Sequence, residues 1–75
     1  MTYELTNEDK AGVINQHLKT LSYNKFNLEL SKIEESAKTS PDSGILSDLT
    51  SQISEVNTKI DALLEELDKV TLFFK

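Results

Sequence analysis

From Leu46 to Phe74 the apolar residues Leu46, Leu49, Ile53, Val56, Ile60, Leu63, Leu67, Val70 and Phe74 recur at alternating steps of three and four, with polar residues filling the rest. A 3.5-residue period holds one narrow apolar edge toward a partner helix as the pair supercoils, so this stretch is expected to be a coiled-coil arm. Upstream, Thr39 to Gly44 is the break. It holds the only proline of the chain, one of its two glycines and three hydroxyl residues. Pro41 disfavours helical geometry at the residue before it and suits the first position of a new helix, which makes Ser40 the expected N-cap and Ser43 the competing one.

The first arm opens with Thr6-Asn7-Glu8-Asp9, a hydroxyl followed three residues later by an acid, with two acids where the helix dipole favours them. Gly12 is the weak point of that arm, at a cost of about 1 kcal/mol relative to Ala. Helix 1 is therefore expected over about 7–38 and helix 2 over about 41–73, each roughly 48 Å long at 1.5 Å per residue. Equal arms on a tight connection predict an all-α fold, an antiparallel two-helix hairpin of coiled-coil type. Residues 1–75 form one domain in this reading, with 1–6 a short N-terminal segment and 39–44 the turn.

Antiparallel partners share a nearly constant total of residue numbers, so setting Ile33 against Leu46 also pairs Leu30 with Leu49, Phe26 with Ile53 and Tyr23 with Val56. Those four, with the helix 2 seam through Ile60, Leu63, Leu67, Val70 and Phe74, make the expected intrachain core. The same register sets Lys19 against Ile60, Gln16 against Leu63 and Gly12 against Leu67, so the match fails in the first half of helix 1. There the apolar residues are Ala11, Ile14, Leu18 and Leu21, continued by Leu28. At 100° per residue this stripe lies roughly 140° around the helix from the one carrying Tyr23, Phe26, Leu30, Ile33 and Ala37.

Two apolar faces need two sets of neighbours. One resolution is a stutter near Ser22 that turns the first stripe back onto helix 2. The favoured one makes Ile14, Leu18, Leu21 and Leu28 the contact between copies, so that the hairpins assemble into a multi-helix bundle. A dimer is the first expectation, and a threefold bundle would use the same faces. Leu72 and Phe73 fall off the helix 2 seam. They either wrap the end of the bundle or dock another protein, and both belong to the expected contact set.

Size supports assembly. At 75 residues the chain buries a small share of its surface, and without cysteine it has no disulfide or thiolate metal site to reinforce it. Charge argues against nucleic acid: eight basic residues, all Lys, face thirteen acids, and no Arg is present for bidentate phosphate or guanine contacts. Residues 1–39 carry five Lys and six acids, net −1, whereas 40–75 carry three Lys and seven acids, net −4. That acidic second arm would be repelled by nucleic acid and by anionic lipid headgroups. Neither a secretion signal nor a membrane span is expected, so the predicted location is cytoplasmic.

Chemistry is thin. His17 has Val13, Ile14, Thr20 and Leu21 as helical neighbours, which excludes a metal site or an acid-base pair within that helix and leaves a half-exposed flanking residue or a pH-sensitive layer at an oligomer axis. Asp61, Glu65, Glu66 and Asp68 could collect Ca²⁺ or a basic partner, but they read as a solvated face. Glu34 with Lys38, Glu55 with Lys59 and Glu65 with Lys69 are acid-first pairs four apart, as on exposed helices. One His, no Cys and no glycine-rich loop leave no hydrolase or phosphate-binding pattern, so no catalytic, metal or cofactor residue is expected.

The opening Met1 to Lys10, the stretch Asn15-Gln16-His17, the pair Tyr23-Asn24 and the break Ser40-Pro41 resemble short uncharacterised helical proteins of tailed marine phages that infect cyanobacteria. The resemblance spans the full chain and implies a place in the infected cell's cytoplasm or in the virion. It brings no assigned catalytic or binding residue with it. The expected function is a non-enzymatic structural or assembly protein that pairs with itself. The alternative is an adaptor that binds a heterologous protein helix through exposed leucines or the C-terminal aromatic end.

Overall fold

The computed structural model describes residues 4–72, and its two helices, α1 (Asn7–Ser36) and α2 (Ser43–Thr71), lie against each other as an antiparallel hairpin. The molecule measures 58 × 22 × 19 Å, the proportions of two helices side by side. Tyr3, Phe73 and Phe74 lie outside the described residues, so the expected closure of the open end by Phe74 against Leu5 does too.

Thr6 caps α1 as its sequence suggests. Its hydroxyl accepts the Asp9 N–H at 3.0 Å, and the Asp9 carboxylate accepts the Thr6 N–H at 3.1 Å. This reciprocal box satisfies two of the backbone donors that a helix start leaves open. The second cap differs from expectation. Asp42 holds it, not Ser40 or Ser43: its Oδ1 accepts the N–H groups of Gly44 at 2.8 Å and Ile45 at 3.1 Å. A carboxylate serves two amides at once and complements the positive helix end, which a single hydroxyl does less well. Pro41 consequently lies ahead of the cap, and each helix stops about two residues short of its predicted limit at the turn. Gly44 fits this cap closely, because a Cβ there would stand 3.1 Å from the Asp42 carboxylate oxygen.

The seam of α2 is as the periodicity predicts. Leu46, Leu49, Ile53, Val56, Ile60, Leu63 and Leu67 are half-buried and Val70 is buried. The facing stripe of α1 is the other one. Ala11 is buried, Ile14, Leu18, Leu21 and Leu28 are half-buried, and Tyr23, Phe26, Leu30 and Ile33 are exposed. The expected assignment of the two α1 faces is therefore corrected. Ile14, Leu18, Leu21 and Leu28 belong to the intrachain seam, while Tyr23, Phe26, Leu30 and Ile33 do not pack on α2.

The register shifts accordingly. Leu28 shares one interhelical groove with Val56, and Leu21 shares the next with Leu63. Val56 thus lies level with Leu28 rather than with Tyr23, five residues along α1. No stutter is needed at Ser22, because the less exposed positions of α1 run through Asn7, Ala11, Ile14, Leu18, Leu21, Lys25 and Leu28 at unbroken alternating steps of four and three, and Glu35 continues the phase. Lys25 holds its place because its aliphatic stem can lie along apolar surface while the ammonium reaches water.

Candidate interaction surface

At the turn, Glu35 is buried although it is charged. One carboxylate oxygen pairs with the Lys38 ammonium at 2.8 Å, and the other accepts the Asp42 N–H at 3.1 Å. The hydrogen bond from Lys38, with the Asp42 amide as a second donor, holds the Glu35 carboxyl below its ordinary pKa, and the same bond raises Lys38. Lys38 thus takes the acid three residues back rather than Glu34. Lys69 does likewise, lying 3.7 Å from Glu66 instead of pairing with Glu65. No pairing pattern in the sequence singled out Glu35. The signal that could have found it is its phase, one heptad beyond Leu28, on a stripe that continues through charged residues.

Among the described residues, the opposite face of α1 is the largest apolar feature left uncovered. Tyr23 is 63% exposed, Phe26 58%, Leu30 41% and Ile33 64%, and they follow one another at steps of three, four and three along one side of the helix. Lys19 and Ser22 border a shallow hollow with Tyr23 and Phe26 at the N-terminal end of the row. These residues cannot reach α2, because Leu21, Lys25 and Leu28, about 140° away around the helix, already face it. A row of large side chains on one helix face is a contiguous patch, of the kind that is often functional, rather than singly scattered surface apolar residues.

Compared with protein-family models, with curated proteins and with solved structures, the chain matches none. Its own geometry is what bears on function.

His17 is exposed and borders the groove that holds Leu21 and Leu63, with Lys59 across from it. Asp61, Glu65, Glu66 and Asp68 are exposed, and among the described residues no group of three or more His, Cys, Asp or Glu side chains is placed to hold a metal ion. The hydroxyls of Thr20, Thr50, Thr58 and Thr71 donate to carbonyls four residues back on their own helices, which occupies their donor hydrogens. No described helix is long and apolar enough to cross a membrane. Leu72, at the end of α2, is 71% exposed. What the arrangement offers is apolar contact along the outer side of α1.

Proposed function

We propose that this chain is a non-enzymatic assembly protein whose hairpin associates with further copies of itself through the outer face of α1. The observation that carries this reading is the uncovered row of Tyr23, Phe26, Leu30 and Ile33 on a helix whose other apolar stripe is already engaged with α2. Burying large apolar side chains contributes about 1.5–3 kcal/mol each when complete, so a second copy laid on this row removes a large exposure cost. The acidic composition, the absence of Arg and the acid-rich α2 support a protein partner over nucleic acid or an anionic membrane.

Sedimentation of the pure protein tests the reading. A stable oligomer at micromolar concentration is expected, and Phe26→Asp with Ile33→Asp should yield monomers of unchanged helicity. A wild-type chain that remains a helical monomer at hundreds of micromolar contradicts it. The exposed Leu72 supports one second reading, in which a different protein's helix docks on the same row and on the end of α2. A monomer that becomes more ordered only when such a helix is added would favour it.

A further inference from the structure

The outer row meets a second copy at matched spacing whichever way that copy runs. Read from Tyr23 to Ile33 the steps are three, four, three, and read backwards they are the same; extended to Lys19 and Ala37 they become four, three, four, three, four, again unchanged on reversal. A two-fold interface brings one patch against itself, and running the second copy the other way sets Lys19 toward the partner copy's Glu34, where parallel pairing would set Lys19 level with Lys19 and Glu34 level with Glu34. We infer that two copies pair through antiparallel α1 helices about a two-fold axis level with Leu28, Tyr23 packing on Ile33 of the second copy and Phe26 on its Leu30. This inference rests on the self-association proposed above and specifies its geometry.

Area and charge both favour a second copy as the occupant. Taking whole aromatic side chains at about 200 Å² and aliphatic ones slightly below, the exposed parts of the four residues come to about 400 Å² per copy, or about 800 Å² for a pair. Lys19, Ser22, Glu34 and Ala37 along the borders bring the buried total to about 1,200 Å², the lower edge of a specific interface. The pairing joins the arms of residues 1–39, each net −1, and leaves the arms of 40–75, each net −4, on the outside and apart. Reversal also brings Lys19 of each copy near the partner copy's Glu34, an opposite-charge pair at each end of the row.

The absence of cysteine allows a clean test. Thr20, Asn27 and Glu34 lie seven apart on one flank of the outer row. In the antiparallel pair Asn27 sits beside its own copy. The two Thr20 positions are offset by about 24 Å along the helices, the two Glu34 positions by about 18 Å, and Thr20 of one copy lies level with Glu34 of the other. With a short bis-maleimide, Asn27→Cys should cross-link to itself, Thr20→Cys and Glu34→Cys alone should not, and a mixture of the last two should. Circular dichroism checks that each variant keeps wild-type helicity, and sedimentation establishes its oligomeric state. Self-cross-linking of Thr20→Cys or Glu34→Cys alone sets like positions side by side and overturns the geometry. A dimer that cross-links in none of these combinations pairs in parallel or through another face and also overturns it, while self-association stands. A monomer by sedimentation overturns both.

Discussion

The Glu35 carboxylate at the end of α1 accepts the backbone N–H of Asp42, the residue whose own side chain caps α2. One acid thus fixes the cap of the next helix, with Lys38 closing the arrangement from the turn at 2.8 Å. The proline marks where the chain breaks, but the carboxylate of Glu35 helps hold the two ends of the turn together.

A pH dependence follows. Because the folded pKa of Glu35 is lowered, its contribution to stability is fully present above the unfolded glutamate value of about 4.3 and is lost as pH falls through the lower folded value. Lys38, raised by the same contact, contributes below the unfolded lysine value of about 10.4 and loses that contribution as pH rises through its folded value. Thermal melts of Glu35→Gln should fall below wild type at neutral pH and converge with it at strongly acid pH. Glu65→Gln, at an exposed position of α2 away from both the turn and the outer row, should melt like wild type throughout.

The two faces of α1 should separate in their concentration dependence. Leu21→Ala removes a half-buried side chain from the groove shared with Leu63 and is expected to cost about 2 kcal/mol of hairpin stability at every protein concentration. Ile33→Ala should leave the dilute hairpin unchanged and remove only the rise of melting temperature with concentration, since binding between copies acts by mass action. Equal losses for both variants at high dilution would contradict the face assignment.

Gly12 is an exposed interior position of α1, and a Cβ there meets nothing within 4 Å. Gly12→Ala is expected to raise stability by about 1 kcal/mol through helix propensity and a less free unfolded chain, measured by urea titration. Gly44→Ala should gain less, because the added methyl presses on the Asp42 carboxylate.

Lys25 occupies a seam position between Leu21 and Leu28. Lys25→Leu should stabilise the hairpin by about 1 kcal/mol by burying more apolar surface. It should also weaken the choice of register, since a single polar seam residue fixes alignment at some cost in stability. Added melting stability with broadened or doubled amide resonances is the expected signature.

How legible the fold was depended on how continuous each stripe is in apolar residues. The α2 seam runs from Leu46 through Val70 without a polar interruption, so its period announced both the helix and its buried edge. In α1 the buried stripe contains Lys25 and Glu35, while the exposed one carries an uninterrupted Tyr23, Phe26, Leu30 and Ile33 beside the turn. Matching apolar to apolar therefore selected the wrong face, along with a register displaced by five residues. The lysine stem and the hydrogen-bonded glutamate make charged residues acceptable in the seam, and neither is visible to a count of apolar positions. The exposed row was nonetheless present in the observation that α1 has two apolar faces; which one α2 covers required the geometry.

The central claim is that Leu21 packs within the chain and Tyr23 packs between chains. Isotope-filtered nuclear Overhauser measurements on a mixture of labelled and unlabelled protein read both contacts in one sample. The expected result is a Leu21 to Leu63 methyl contact within one copy and a Tyr23 ring to Ile33 methyl contact between two copies. A Tyr23 ring contact to Val56 within the same copy, with no signal between copies, would contradict the account.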